Sequence, residues 1–246
     1  MALNCKLDSK SEQSIDDNVY PYRQLIGSLM YLSVCTRPDI SFVCSQLSQH
    51  VTNFNKDHWI AAKRVLRYLS GTINYGLHFY KGDKLNVKAY ADADWANDPT
   101  DRKSYTGFLV KLGNNTVSWE ARKQRCVALS STEAEYLAMS DVCKELCFIK
   151  NFLSELNEMQ INMIVYNDNQ SAQKLLQLKE YSHRRTKHID LRYHFIKDLV
   201  QKQYVDIMYL STQNMPADLL TKPVSRVKHY SFIDDMNVKP LKHCVA

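Results

Sequence analysis

The residues best suited to chemistry in this chain are acidic and lie far apart in the sequence. The first lie in Ala-Tyr-Ala-Asp-Ala-Asp-Trp (89–95), where a β-forming run with alternating character ends in Asp92 and Asp94. Carboxylates beside a protein core are costly unless something neutralises their charge. A divalent metal ion would do so, and carboxylate oxygens are ligands that Mg²⁺ prefers. We therefore expect Asp92 to be the first of several acids that together hold metal.

Three further acids lie at predicted ends of secondary structure elements. Glu135 is at the N-terminal end of the apolar stripe of a long predicted helix and should face the sheet, whereas Glu133 should be solvated. Asp168 follows an apolar strand, and sites form at strand ends in mixed α/β sheets. Asp218 begins a short helix after Pro216, where an acid also complements the helix dipole. Each alone is better explained as a cap or turn residue; the four together predict a site.

The elements that must position these acids are preceded by a helical segment. Residues 1–19 are polar and predict a flexible lead-in. Residues 20–75 contain apolar residues at helical spacing and predict three short helices without an intervening strand. Pro38 stops the first helix and opens the second. This segment should form a small all-helical unit.

Residues 76–223 predict a single α/β domain. A short extended piece over 76–80 comes first, followed by strands over 86–92, 106–112, 116–120, 161–166 and 204–210, with helices over 169–178, 189–201 and 217–221. A long helix starts after an N-cap at Ser131 or Thr132 and runs to about Leu156. Strand–helix–strand order implies parallel pairing through a right-handed crossover. The fold class is therefore α/β, a mixed five-stranded sheet flanked by helices, and residues 224–246 predict a loose tail.

Composition excludes several classes of protein. The chain has 246 residues, of which 45% are apolar and 24% charged, an ordinary balance for a globular domain. No apolar run has the length of a membrane span, and no secretory signal is visible. Seven cysteines without zinc-like pairing indicate free thiols in a reducing compartment. The net charge of +6 permits a polyanionic partner without requiring one.

Five motifs connect the acids to a known family. They are Tyr-Ala-Asp-Ala-Asp-Trp-Ala (90–96), Ser-Ser-Thr-Glu-Ala-Glu-Tyr (130–136), Tyr-Asn-Asp-Asn-Gln-Ser-Ala (166–172), Arg-Thr-Lys-His-Ile-Asp-Leu-Arg-Tyr-His (185–194) and Ala-Asp-Leu-Leu-Thr-Lys (217–222). In this order they resemble the ribonuclease H domain of copia-type LTR-retrotransposon Pol polyproteins. The helical segment, with Thr-Arg-Pro-Asp at 36–39, resembles the end of the reverse transcriptase that precedes that domain. The resemblance covers about residues 20–222.

The resemblance implies a ribonuclease H fold and a set of catalytic, metal-binding acids: Asp92, Glu135, Asp168 and Asp218. It implies two Mg²⁺ ions roughly 4 Å apart across the scissile phosphate, with Mn²⁺ as a substitute. Asp92 would bridge both ions, Glu135 and Asp168 would complete one shell, and Asp218 the other. The family pattern takes the first Asp of Asp-Ala-Asp and ranks Asp94 second, whereas spacing alone leaves those two open.

The implied substrate is the RNA strand of an RNA–DNA hybrid during reverse transcription, selected through ribose 2′-hydroxyl groups. Contacts to nucleic acid are expected from Ser130, Asn169 and the basic residues Arg184, Arg185 and Lys187, although a solvated loop explains that basic run equally well. The rest of the reverse transcriptase is the expected protein partner. No membrane and no small-molecule cofactor are expected, and the expected location is intracellular, in cytoplasmic virus-like particles or the nucleus.

Two departures from related proteins affect the expected activity. Many ribonucleases H carry a histidine in the loop before the last acid, and residues 211–217 contain none. No Tyr-x-Asp-Asp polymerase motif occurs, so polymerisation by this chain is not expected.

Two other functions remain open. A polynucleotidyl transferase of the integrase type would share the fold but use three acids, the last on a late helix; Glu135 as second acid and Ala-Asp-Leu-Leu (217–220) as last argue against it. A non-catalytic, nucleic-acid-binding remnant of a retrotransposon polyprotein is the other alternative. The presence of all four acids argues against decay of the site.

Overall fold

The computed structural model describes residues 20–81, 86–98, 100–156, 161–177 and 187–241. Its helices are α1 (Tyr22–Cys35), α2 (Ser41–Ser48), α3 (Lys56–Gly71), α4 (Ser131–Glu155), α5 (Gln170–Gln177), α6 (Lys187–Gln201) and α7 (Arg226–Asp235). Its strands are β1 (Tyr75–Leu77), β2 (Val87–Asp94), β3 (Tyr105–Leu112), β4 (Asn115–Lys123), β5 (Met163–Asn167), β6 (Asp206–Tyr209) and β7 (Val238–Pro240). Short 3₁₀ helices cover Pro38–Ile40, Thr212–Asn214 and Pro216–Leu220. The chain divides into two compact units, one up to His78 together with the chain from Pro223, the other Phe79–Lys222.

The first unit is built on helices α1 to α3, which pack around their own apolar core. Tyr22, Ile26 and Leu47 are fully buried there, and the Tyr22 ring stacks on Phe54 with 4.5 Å between ring centroids. Asn55 starts α3 because its side-chain oxygen accepts hydrogen bonds from two backbone N–H groups of the first turn. The three helices expected between residues 20 and 75 are present.

The C-terminal segment of this unit corrects the sequence prediction of a loose tail over 224–246. It contains α7 and then β7, which pairs antiparallel with β1. Within α7 only Phe232 and Ile233 are buried, and the other buried residues after Pro223, Met236 to Val238, follow the helix. Periodicity therefore gave no signal. Of the piece expected over 76–80, Gly76 and Leu77 belong to β1 in this two-stranded sheet. Tyr80 instead exchanges two backbone hydrogen bonds with the Asn115 side chain at the start of β4.

The second unit contains a five-stranded sheet in the order β4-β3-β2-β5-β6. Strands β2, β3 and β4 pair antiparallel as consecutive neighbours, whereas β5 runs parallel to β2 and β6 runs parallel to β5. Each parallel connection contains helices, as a crossover between parallel strands requires. The α/β fold class with a mixed five-stranded sheet and flanking helices is confirmed.

Helix α4 covers one face of this sheet and corrects three details of the sequence prediction. Its N-cap is Ser130, whose hydroxyl accepts a hydrogen bond from the Glu133 N–H, and neither Ser131 nor Thr132. Glu133 is not solvated but buried, because its carboxylate accepts a hydrogen bond from the Leu129 N–H at 2.8 Å. Leu156, which the sequence pattern assigns to the apolar stripe of the helix, lies just past the helix end and is 59% exposed. Among the described residues no helix combines the length and apolar character needed to cross a membrane.

Candidate functional site

Three of the four acids singled out in the sequence meet at one end of the five-stranded sheet. Asp92, Glu135 and Asp168 each offer a carboxylate oxygen, and these atoms all lie within 4.8 Å of one another. Asp92 lies near the end of β2, and Asp168 directly follows the parallel neighbour β5, so their strands deliver them to the same edge. Glu135 lies in the first turns of α4, which begins at that edge.

Asp218 lies beside Asp92 but outside that group of three. The 3₁₀ helix Pro216–Leu220 carries it, and both carboxylates are almost completely buried. The Lys222 ammonium lies 2.9 Å from Asp218 Oδ1 and 3.5 Å from Asp92 Oδ2. The Thr221 hydroxyl donates a hydrogen bond to the same Asp92 oxygen. Asp218 is therefore joined to the other acids through a lysine and a threonine that follow it in the chain.

Asn167 fixes the orientation of Glu135, a role that sequence analysis missed. Its side-chain amide donates to Glu135 Oε2 at 2.8 Å and to the Ala91 carbonyl at 3.1 Å. Its side-chain oxygen accepts from the Asn169 N–H at 2.9 Å, and the residue is fully buried. A fully buried amide that makes three hydrogen bonds restrains its neighbours to one geometry. The sequence feature that could have identified Asn167 is a polar residue at the end of an apolar strand.

The loop that lacks the expected histidine contributes a hydroxyl group instead. Thr212 Oγ1 donates a hydrogen bond to Asp168 Oδ2 at 2.5 Å. Asp168 is only half-buried, so this contact restrains a carboxylate that is otherwise open on one side.

Gly107 allows the segment with Asp218 to approach the sheet. It lies opposite Asp92 in the β2–β3 register. A methyl group at this position would come within 2.7 Å of both Leu220 Cβ and Thr221 Cγ2, and within 3.0 Å of the Leu220 backbone. Atoms at such separations clash, so only glycine fits between β3 and this segment.

Burial and crowded negative charge raise the pKa values of two of these acids, Glu135 and Asp218. Burial, followed by the Asp92 and Asp168 carboxylates, raises the pKa of Glu135 well above its usual range. Burial and the neighbouring Asp92 carboxylate raise the pKa of Asp218 to about 7, against the opposing effect of Lys222. A divalent cation would relieve this repulsion. In the group of Asp92, Glu135 and Asp168 the donors are carboxylate oxygens only, a set that fits Mg²⁺ or Mn²⁺.

The acids that follow Asp92 in the sequence have other environments. Asp94 is not in the group of three, and burial is the main cause that raises its pKa to about 6. Asp98 and Asp101 both pair with the Lys123 ammonium, at 2.5 and 3.0 Å. These two acids stabilise the turn between β2 and β3 and do not enter the site.

The residues expected to contact nucleic acid are only partly described. Ser130 is exposed and caps α4, and Asn169 is half-buried and accepts a hydrogen bond from the Ala172 N–H in the first turn of α5. Arg184 and Arg185 lie outside the described residues, and so does the side chain of Lys187. Their contacts with nucleic acid stay predictions.

The raised pKa of Asp218 predicts how stability depends on pH without divalent ions. In the folded protein this carboxyl keeps its proton up to about pH 7, whereas the unfolded chain loses it near 3.8. The folded state therefore binds more protons between these values, and the contribution of Asp218 to stability falls as pH rises through that window. Urea unfolding in EDTA at pH 4.5 to 7.5 should show a smaller decline for Asp218→Asn than for the unmodified chain. Equal slopes would contradict the assigned pKa.

The comparisons with known proteins agree with the sequence motifs. No protein-family model matches the chain. The Retrovirus-related Pol polyprotein from transposon TNT 1-94 of Nicotiana tabacum is 46% identical over 208 residues, 85% of this chain and 16% of that protein. The corresponding polyprotein from transposon RE2 of Arabidopsis thaliana is 42% identical over 233 residues, 94% of this chain and 16% of that protein. The chain thus spans about a sixth of the length of these relatives.

Among solved structures, LC11-RNase H1 in complex with an RNA/DNA hybrid matches with a TM-score of 0.41 and 14% identity, over 55% of this chain and 94% of that one. The fold assignment depends on the topology itself. Three consecutive antiparallel strands are followed by two strands added in parallel on the other side, with α4 entering between. This is the ribonuclease H-like fold expected from the sequence, and the chain belongs to the family of copia-type retrotransposon Pol polyproteins, with one segment of which it aligns.

Proposed function

We propose that the chain is the ribonuclease H of a retrotransposon, an endoribonuclease that depends on divalent metal and cuts the RNA strand of RNA–DNA hybrids. The observation that carries the proposal is the convergence of Asp92, Glu135 and Asp168, with oxygens within 4.8 Å of one another and Asp218 adjacent. Carboxylates packed this closely at the end of a sheet repel one another and lower the stability of the folded state. A bound cation would offset this repulsion, so the cluster supports a functional, metal-binding site.

Bound divalent metal would neutralise the carboxylates and supply activation of the attacking water and stabilisation of the leaving 3′-oxygen. The protein contributes a preorganised set of ligands. Asn167 holds Glu135, Thr212 holds Asp168, and Thr221 holds Asp92, each through a hydrogen bond to a carboxylate oxygen. The acids therefore need little rearrangement when a substrate phosphate arrives.

Nucleic acid would reach the site across the exposed ends of α4 and α5, where Ser130 and Asn169 lie. Trp95 is also near this edge, with 47% of its surface exposed, and its indole N–H donates to the Ala128 carbonyl at 3.0 Å. An anchored, exposed aromatic ring suits stacking against a base or sugar. Contacts to ribose 2′-hydroxyl groups would select the RNA strand, and the remaining reverse transcriptase would be the partner that delivers the hybrid.

A substrate panel tests this function against the alternatives. The intact chain is incubated with Mg²⁺ and an RNA–DNA hybrid, an RNA duplex, a DNA duplex or single-stranded RNA of one sequence, each strand carrying its own label. We expect cleavage of the RNA strand in the hybrid alone. Cleavage or joining of DNA would favour a transferase of the integrase type. Binding of the hybrid without cleavage of any strand would favour the non-catalytic remnant.

Asn167→Ala should weaken both activity and folding. It leaves Glu135 Oε2 and the Ala91 carbonyl without their donor, and buried unsatisfied groups cost about 1–3 kcal/mol of stability. Loss of a residue that orients a metal ligand typically lowers activity by about 10- to 100-fold. Urea unfolding and hybrid cleavage measure the two effects. Asn162→Ala, at an exposed position before β5, is the control and should change stability by less than about 0.5 kcal/mol. Unchanged cleavage by Asn167→Ala would contradict the assigned role.

A further inference from the structure

The ammonium of Lys222 lies between the two most deeply buried acids of the site. It is 2.9 Å from Asp218 Oδ1 and 3.5 Å from Asp92 Oδ2. The two carboxylates are 1% and 2% exposed, whereas the lysine side chain is 30% exposed. The ammonium of Lys222 therefore points toward the two buried acids, although its side chain is partly exposed to solvent.

The backbone of the segment explains why this lysine is directed at the acids. The Lys222 N–H donates to the Asp218 carbonyl at 3.1 Å, which closes a helical turn and places the two side chains on one face. The close packing against Gly107 holds this turn on the sheet. The Thr221 hydroxyl donates to Asp92 Oδ2, the same oxygen that faces Lys222. The position between Asp92 and Asp218 is therefore already supplied with a cation and a hydrogen-bond donor.

Among the described residues, the acids that could hold a metal ion together are not the pair that Lys222 contacts. They are Asp92, Glu135 and Asp168 and do not include Asp218. A cation tethered in the chain competes with free ions at a high effective concentration. A divalent ion placed between Asp92 and Asp218 would also be repelled by the ammonium at very short distance.

We propose that Lys222 serves as the second cation of this site, so that the chain binds one divalent ion, at Asp92, Glu135 and Asp168, while the lysine ammonium neutralises Asp92 and Asp218. This inference depends on the proposed function for the existence of the metal site. It differs from the two ions that the resemblance implies. In this arrangement Lys222 is a positioning residue that keeps Asp92 turned toward the single ion.

Counting bound Mn²⁺ by anomalous X-ray scattering tests the inference without an activity measurement. Crystals of the intact chain are grown with Mn²⁺, alone and with a hybrid whose RNA strand carries hydrolysis-resistant 2′-fluoro ribose. For the unmodified chain, with and without the hybrid, we expect one Mn²⁺ peak, bound by Asp92, Glu135 and Asp168. Lys222→Gln should gain a second peak between Asp92 and Asp218.

Lys202→Gln is the matched control, because Lys202 forms an Asp–Lys pair of the same i,i+4 spacing at the surface, 2.7 Å from Asp198. It should keep one peak. Two peaks in the unmodified chain with Lys222 displaced, or a single peak in Lys222→Gln, would overturn the inference and leave the proposed function standing. No peak in any crystal would overturn both. The unmodified chain decides the question even where Lys222→Gln does not fold.

Discussion

Asp92→Asn should reduce hybrid cleavage by at least about 10³-fold, which corresponds to roughly 4 kcal/mol of lost transition-state stabilisation. Asp92 is the acid common to both parts of the site. Its carboxylate lies in the group with Glu135 and Asp168, and it also faces Lys222. The substitution keeps the shape of the side chain but removes the charge that a metal requires. Initial cleavage rates with saturating Mg²⁺ measure the effect, and circular dichroism checks that the variant folds.

Asp94→Asn is the matched control for this prediction. Asp94 lies two residues further along β2, is half-buried, and is not in the group of three acids. The same chemical change there should lower cleavage by no more than about 100-fold, since residues that neighbour metal ligands without binding the metal typically affect activity by about 10- to 100-fold. Equal losses at the two positions, or a larger loss at Asp94, would mean that the first metal ligand has been misassigned.

Gly107→Ala should have the second largest effect, although this residue has no functional side chain. The added methyl group would lie 2.7 Å from Leu220 Cβ and Thr221 Cγ2, so the segment that carries Asp218, Thr221 and Lys222 must move. Overpacking of this kind costs about 1–3 kcal/mol of stability. A displacement of about 1 Å at a catalytic centre can cost roughly 10²-fold in rate. We expect both losses, measured by urea unfolding and hybrid cleavage.

Gly27→Ala provides the contrast for Gly107→Ala. Gly27 is exposed in α1, and a methyl group there would contact nothing within 4 Å. Replacing a helical glycine by alanine should therefore stabilise the protein by about 0.5–1 kcal/mol. A destabilised Gly27→Ala, or a Gly107→Ala chain with normal stability and rate, would contradict the packing account.

The order of the elements could be predicted from sequence because the polarity patterns are local. Alternation over 86–92 and the apolar stripe of α4 identify a strand and a helix without tertiary information. The positions of Asp92, Glu135 and Asp168 at element ends follow from the same patterns. Their convergence could be expected once a parallel pair was inferred, because parallel strands bring their ends to one edge. Their roles in catalysis and metal binding stay predictions.

Other features depend on contacts between distant residues and had no local signal. The pairing of β1 with β7 joins residues more than 160 positions apart, and neither strand exceeds three residues. The burial of Glu133 results from one hydrogen bond to the chain that enters α4. Asn167 and Lys222 lie inside two of the motifs, but the sequence indicates no role for them, because an amide at a strand end and a lysine after a short helix are ordinary surface residues. Only their contacts with Glu135, Asp92 and Asp218 place them at the site.

The most direct test of the central claim is the identity of the RNA ends that the intact chain produces. A hybrid labelled in its RNA strand is incubated with Mg²⁺ or with EDTA, and the products are analysed by mass spectrometry. Metal-dependent hydrolysis at the carboxylate site predicts fragments with 5′-phosphate and 3′-hydroxyl ends with Mg²⁺ and no fragments in EDTA. Fragments with 2′,3′-cyclic phosphate ends, cleavage that persists in EDTA, or an uncut hybrid with Mg²⁺ would contradict it.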